Sequence, residues 1–559
     1  MFRIFIIMNS CFLFILMFIS FIGNAICQDT LSVDWHRNVC SNNYIDHVFD
    51  IASDSNGNVY TLGAFPNSTN SLGQILNEST GSYFLNKLDS LGNLIYSINF
   101  GNQDYLTFGE LELTNSNEII IGVNFIGNFY YNSNIVTSNS NWSSLLMKLD
   151  SNLNLIWYEK IPCIKQTMSP TYLNALTQDE NQNIYTSIQF IDSIEVNGLI
   201  YTNENGYGFL VSKFTSNGIV LWTRKYQSNQ NLINRELKYF RKGDHIGKLI
   251  LTGQNSGDSL FIDGSIHLIK QGLGTFVSKL DIYGNILESI HFKNVDYIID
   301  FSFYNDRIFC AGIYRDSVFW SGNISIPIEN KSAFICELNQ FSVMIDFHDL
   351  ITSKNLNLTD FAISELYGFV VSGFYNGGMT AQSSSITLDN QYNIGSIIAS
   401  FDHDFILNDS KYITGGSYNL RKFSIKNEII FGTGVFENYC DFQNIDIHAS
   451  NDDISVFRTS DINKNLNFNS QASAQEISSN ECNFLIYPNP TSDILQIQAE
   501  SLIIINIISI DGRIMQDFFQ ENIESSTCID LSKLKRGAYF INLLDCNGDL
   551  RSIRVEKIN

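Results

Sequence analysis

Short apolar runs, broken by tight polar turns, recur along the whole chain. The clearest example is Phe84-Leu-Asn-Lys-Leu-Asp-Ser-Leu-Gly-Asn-Leu-Ile-Tyr-Ser-Ile-Asn-Phe100, and Leu145-Leu-Met-Lys-Leu-Asp-Ser-Asn-Leu-Asn-Leu-Ile-Trp-Tyr-Glu-Lys-Ile161 restates it. Each reads as a strand, a turn made of Asp, Ser, Asn and Gly, and a second strand. A second apolar phrase precedes each copy, as in Asn58-Val-Tyr-Thr-Leu-Gly-Ala-Phe65 and Gly368-Phe-Val-Val-Ser-Gly-Phe-Tyr375. A third, more polar one stands earlier still, as in Val48-Phe-Asp-Ile-Ala-Ser53 and Tyr297-Ile-Ile-Asp-Phe-Ser-Phe303.

The fifth residue of the first phrase serves as a marker. It falls at Leu88, Leu149, Phe214, Leu280, Leu338, Phe401 and Phe457, at intervals of 61, 65, 66, 58, 63 and 56 residues. Four short strands therefore return about every 60 residues, seven times. Self-similarity at a fixed period outranks local propensity, and four-stranded repeats of this number suit a β-propeller. Blades pack face to face, so their strands should read as near-continuous apolar runs. Ile119-Ile-Ile121 and Phe369-Val-Val371 do. The stretch Val33-Asp-Trp-His-Arg-Asn38 matches an outer strand but has no earlier strands before it. It is expected to complete the blade built from residues 418–460 and so close the ring. The expected fold class is all-β: a seven-bladed β-propeller over residues 28–462, followed by a small C-terminal β-sandwich.

Composition adds where the chain operates. Residues 1–27 combine a basic start at Arg3, an apolar run from about Cys11 to Ile22 and the small-residue end Ala25-Ile-Cys27, which together read as a secretory signal peptide. No later stretch has the ~18 apolar residues of a spanning helix. The net charge of −23 argues against nucleic acid and against an anionic membrane surface. Removing Cys11 and Cys27 leaves eight cysteines of the original ten, an even count that permits disulfides after export. Cys310 and Cys336 could lie on neighbouring strands of one repeat, and Cys528 with Cys546 is an option in the tail; the rest read as buried thiols. No CxxC pair supports a structural zinc.

After the last repeat the text changes. Residues 463–482 are rich in Asn, Ser, Gln and Ala and read as a linker. Residues 483–559 carry Tyr487-Pro-Asn-Pro-Thr-Ser-Asp493, Ile510-Asp-Gly-Arg513, Leu531-Ser-Lys-Leu534, Gly537-Ala-Tyr539 and a final Arg551–Lys557 strand. In that order these motifs resemble the type A C-terminal sorting domain of the type IX secretion system of Bacteroidetes. The resemblance implies export by that machinery and a place outside the cell or on its surface. It implies nothing about what the cargo does.

Candidate chemistry is sparse. Gly257-Asp-Ser-Leu260 spells a lipase/esterase signature, but Asp192-Ser-Ile194 and Asp316-Ser-Val318 repeat it in other copies, which is turn chemistry. Asp54, Asp89, Asp179 and Asp281 open segments that look like fragments of calcium loops. They lack the later acidic ligand, and Asp, Asn and Gly also serve tight strand connections. The eight histidines show no HxH or HExxH spacing. No catalytic, cofactor-binding or metal-binding residue is assigned; calcium in the Asp-rich loops is the one cofactor the pattern leaves open. Tyr130, Tyr131, Trp142, Tyr201, Tyr207 and Trp320 fall in the longer connections. They could stack on a ligand or cover blade edges, and the second reading is preferred. The functional expectation is a non-enzymatic protein- or glycan-binding module. The alternative is a secreted polysaccharide- or protein-degrading enzyme with its site at the propeller channel, marked by acids, His or Arg from unequal blades. Similar residues at equivalent positions would favour binding or structure.

Overall fold

The structure is a computed structural model. It describes residues 33–460 apart from short stretches within the connections, and in the tail chiefly the strands between 475 and 557. The expected signal peptide, linker residues 463–474, and tail residues 488–493 and 510–513 lie outside the described residues. Among the described residues there is no helix. None, therefore, is long and apolar enough to cross a membrane. The chain divides into two compact units, 1–463 and 464–559.

The first unit is a propeller-like arrangement of antiparallel sheets. The first sheet runs His47–Ser53, Val59–Phe65, Gly81–Leu88, Leu94–Gln103. The second runs Thr107–Leu113, Ile119–Phe125, Ser143–Leu149, Leu155–Pro162. The third starts at Tyr172–Gln178 and the fourth at Leu232–Phe240, with the same order of neighbours. Each innermost strand packs on the next: His47–Ser53, Thr107–Leu113, Tyr172–Gln178, Leu232–Phe240, Val295–Tyr304, Met344–Ser364 and Tyr418–Lys426, which returns to His47–Ser53. Trp35–Ser41 pairs antiparallel with Asp453–Thr459, from Trp35 opposite Arg458 to Val39 opposite Ile454.

Six sheets are found in this arrangement, not the seven expected. The fifth and sixth repeats share one sheet, because Met344–Ser364 is a single strand of 21 residues. Its first part pairs with Ser332–Leu338 and its later part with Gly368–Ala381. No Gly or Pro interrupts residues 344–364. The lengthened Gly368–Ala381 strand keeps the crossing hydrogen-bonded, with Ile351 opposite Ala381 and Ser353 opposite Met379. A second correction concerns the last marker. Leu88 sits opposite Val59 and Phe401 opposite Phe369, but opposite the equivalent Ile430 stands Thr459, not Phe457. A polar residue had replaced the apolar marker, which hid it.

The second and third strands are buried on both faces, as in Val59–Phe65, Ile119–Phe125 and Ser143–Leu149. The core therefore lies between sheets: Leu62, Tyr83 and Leu85 pack with Leu111, Ile121 and Val123 of the next. Two further devices join neighbours. In several repeats the connection between the second and third strands forms a hairpin that adds to the outer strand of the preceding repeat. Thr69–Ser71 pairs with Trp35–Ser41, Asn128–Tyr131 with Leu94–Gln103, Ser259–Ile262 with Val220–Ser228, and Tyr439–Phe442 with Leu407–Gly415. The second device uses the repeated phrase itself. Trp35, Trp157 and Trp222 donate their indole N–H to turn carbonyls of Ser90, Ser216 and Ile282 at 3.1, 2.9 and 3.0 Å. Their rings lie over Gly92, Gly218 and Gly284, where a Cβ would come within 2.6–2.8 Å.

In the second unit, Gln475–Ser479, Cys482–Tyr487, Ile494–Ala499 and Ser526–Asp530 form one four-stranded sheet. Ile514–Ile523, Leu502–Ser509, Gly537–Leu544 and Leu550–Lys557 form another. Residues 475–479, expected as linker, are thus a strand, drawn in by pairing with 482–487.

Candidate functional site

Every innermost strand carries a register shift near its centre, for example between Val48 and Asp50, Asn234 and Glu236, Ile298 and Asp300, Leu358 and Asp360, and Leu420 and Lys422. A β-bulge re-aims the side chains that follow it. Pairing with the second strand defines one equivalent position across the repeats: Asp50 opposite Leu62, Glu110 opposite Gly122, Ala175 opposite Ser187, Glu236 opposite Thr252, Asp300 opposite Ala311, Asp360 opposite Ser372 and Lys422 opposite Thr433. Five carboxyl groups, one lysine and one alanine therefore occupy this position. Glu112 and Lys238 stand two residues further along their strands.

The carboxyl groups spend their oxygens on the scaffold. Asp50 accepts from its neighbour Ile51 N–H and from Leu111 N–H of the next sheet, both at 2.8 Å. Asp360 does the same with Phe361 N–H at 3.0 Å and Phe423 N–H at 2.8 Å. Glu236 accepts from Leu237 N–H at 3.1 Å, and Asp300 from Phe301 N–H at 2.6 Å. Lys238 donates to both oxygens of Asp300 at 2.8 and 2.7 Å. Lys422 lies 4.0 Å from Asp360, and Arg241 lies 3.7 Å from Glu112.

Crowding and burial set the electrostatics. Burial pushes Asp50 up to about 6 against the pull of Lys422, Glu112 up to about 7 and Glu236 up to about 8. Glu110 is raised well above the ordinary range by burial and by Asp50. Asp360 stabilises the Lys422 ammonium most; Asp50, Glu236 and Glu110 add to it and lift Lys422 despite burial. Burial works against Lys238, but Asp300 and Glu236 outweigh it and its pKa is raised. The innermost strands pack in a closed cycle, so the side chains at this equivalent position gather around the ring axis, where groups from four strands act on Lys422. Among the described residues, no group of three or more His, Cys, Asp or Glu is placed to hold a metal ion.

The residues singled out in the sequence lie elsewhere. Asp54, Asp89, Asp179 and Asp281 each accept two backbone N–H groups, two and four residues on, and the amide of the Asn at the fourth position. This is a turn motif in which the turn itself engages both carboxylate oxygens. Asp150 builds the same turn. Ser259 of the Gly-Asp-Ser-Leu segment opens a hairpin strand, and the preceding Gly257 and Asp258 N–H groups bond to Asn255 and Asn229. Of the connection aromatics, Tyr131 and Trp142 are buried, and Tyr131 donates to the Leu153 carbonyl, so these two cover edges. The axis carboxyls were not singled out in the sequence. Their signal was present as an acidic residue in the polar strand of most repeats.

No curated protein matches this chain. Among solved structures, an inactive virginiamycin B lyase from Staphylococcus aureus with quinupristin is 10% identical, covering 76% of this chain and 99% of that one, with a TM-score of 0.40. The β-propeller domain of the Trilobed protease from Pyrococcus furiosus is 10% identical over 73% and 96%, with a TM-score of 0.39. A protein of unknown function from Dyadobacter fermentans is 9% identical over 64% and 94%, with a TM-score of 0.31. Residues 485–553 match the family described as the secretion system C-terminal sorting domain, the type IX sorting tail, so this is a secreted or cell-surface protein.

Proposed function

We propose that the exported ring is a non-enzymatic binding module and that its axis carboxyls are structural. One observation carries this reading: the acids occupy equivalent positions in successive repeats, and most spend their oxygens on backbone N–H groups or on a lysine. A hydrolytic site needs two carboxyls in contrasting environments, one kept acidic and one kept basic, with access to water. Here most are raised in the same direction by the same cause.

Contact with a partner is better supported on the outer strands. Ile95, Ile156, Leu221, Leu287 and Ile345, each seven residues after its marker, are 39–52% exposed. Tyr283 and Phe341 extend the row at the neighbouring turns, 69% and 60% exposed. A mostly aliphatic row suits a protein surface better than a sugar, which stacks on aromatic faces. In the same reading the fused fifth sheet counts as two blades, the two sheets of the tail pack as a sandwich, and residues 1–27 are the export signal.

The test is a protein-partner and glycan-binding screen of the mature chain, run beside a turnover screen on polysaccharides and proteins. Binding without turnover is expected, weakened by Leu221→Asp with Leu287→Asp. Turnover of any polymer that is abolished by Glu236→Gln or Asp300→Asn, with folding intact, would establish the enzymatic alternative at the axis.

A further inference from the structure

Cys310 and Cys336 stand directly opposite each other on the adjacent antiparallel strands Arg307–Tyr314 and Ser332–Leu338. Their sulfurs are 3.1 Å apart. Opposed residues in such a ladder have Cα atoms ~4.5–5.5 Å apart, inside the ~4.4–6.8 Å that a disulfide spans. Both side chains are fully buried, in a cluster that includes Phe240, Ile250, Val277, Phe301 and Phe334. The chain carries a type IX sorting tail and leaves the reducing cytoplasm.

We propose that Cys310 and Cys336 close as a cross-strand disulfide during export, before the fifth repeat is sealed. The reaction is thiol–disulfide exchange with a protein or small-molecule disulfide of the extracytoplasmic space. One thiolate attacks the donor disulfide and releases a donor thiol; the second cysteine then displaces the other donor thiol. Cys310 and Cys336 lose two electrons and two protons in total, and the donor disulfide is reduced to its two thiols. Timing follows from geometry. Exchange needs a thiolate with in-line access to the donor sulfur, and in the folded ring neither sulfur meets solvent. Burial and the adjacent sulfur also disfavour ionisation of Cys336. The bond therefore forms on the open chain and is then shielded from reductant by the same packing.

The experiment is peptide mapping of the full protein purified from its native exported fraction, alkylated in denaturant without reductant. The expected product is a linked peptide pair containing Cys310 and Cys336, lighter by two hydrogens than the two reduced peptides and unlabelled at both sulfurs. Full alkylation of both cysteines overturns the proposal. The timing is tested on protein refolded in reductant and then given oxidised glutathione. The native reduced ring should stay reduced for hours and link only when passed through denaturant; rapid linkage in the native state overturns the timing. A Cys310→Ala/Cys336→Ala variant, which keeps the core apolar, should fold and show no linked peptide. If the same linked mass persists in that variant, the assignment is wrong.

Discussion

At the residue scale, the repeated phrase is a latch between neighbours. Trp157 lies over Gly218 of the next repeat, whose φ is +83°. An added Cβ there would come within 2.8 Å of the Trp157 ring. Gly218→Ala is therefore expected to lose about 1–2 kcal/mol for the left-handed backbone and roughly 1–3 kcal/mol more for overpacking the ring. Gly198→Ala is the control: its φ is +75° with nothing within 4 Å, so only the backbone cost should appear. Equal losses for the two in urea unfolding would remove the latch. Both members were legible in the sequence, since Trp157 and Gly218 stand in successive copies of one phrase. Their contact was not, because it joins repeats and periodicity describes positions within one. The phrase's lysine behaves alike. Lys148 is buried, pairs with Glu118 at 2.9 Å and reaches toward the Ser216 carbonyl at 3.4 Å.

At the element scale, the innermost strands explain why an acid follows a bulge. The bulge turns Asp360 so that one oxygen caps its own strand and the other accepts Phe423 N–H from the neighbouring one. The side chain thus replaces the ladder hydrogen bonds that two innermost strands, packed side by side without pairing, cannot give each other. Asp360→Ala would leave the Phe423 N–H and Lys422 without this acceptor, for an expected loss of roughly 3 kcal/mol. Asp360→Asn keeps an acceptor oxygen and should cost less than half of that. If thermal unfolding shows the two substitutions to be equivalent, charge rather than hydrogen bonding holds the strand. The recurring polar phrase, as in Val48–Ser53 and Tyr297–Phe303, marked these strands in the sequence. It could not show that they meet, because convergence on an axis is set by ring closure and not by any one strand. The fusion of the fifth and sixth repeats escaped for a related reason. Whether two strands joined without a turn stay continuous depends on the partner strand: Gly368–Ala381 is long enough to hold residues 351–353 in register.

At the scale of the whole molecule, the axis sets how stability depends on pH. Asp50, Glu112 and Glu236 have folded pKa values near 6, 7 and 8, above their ordinary 3.8, 4.5 and 4.5. The folded ring therefore binds protons that the unfolded chain has released. Stability falls as pH rises from about 4 through 8. Asp89 and Asp150 oppose this below pH 4, because hydrogen bonds from Asn93 and Asn154 hold them under the ordinary value and that stability is lost as they are protonated. The melting temperature should peak in mildly acidic buffer and drop by several degrees toward pH 8. Glu236→Gln should flatten the alkaline side of that profile. A peak at or above pH 8 would contradict the burial assigned to these carboxyls.

Closure of the ring is the other property of the whole. The strand Trp35–Ser41 comes from the far end of the unit and is the outer strand beside Asp453–Thr459. It brings Trp35 into a cluster with Phe84, Leu88, Phe431 and Val456, residues of the first and last sheets. Its indole donates to Ser90 O, Arg37 donates to Gly92 O at 2.6 Å, and Arg458 reaches the same Ser90 carbonyl at 2.8 Å. One short segment therefore completes the last sheet and latches it to the first. Deleting residues 31–38 exposes the edge of Asp453–Thr459 and opens the seam, so the melting temperature should fall sharply and the product should self-associate through the free edge. Trp35→Ala removes the buried ring while leaving the backbone pairing, for an expected cost of about 3–5 kcal/mol. Because the deletion loses both the pairing and the ring, it should cost more than Trp35→Ala. An unchanged melting temperature in the deletion would show that the ring does not depend on its N-terminal strand.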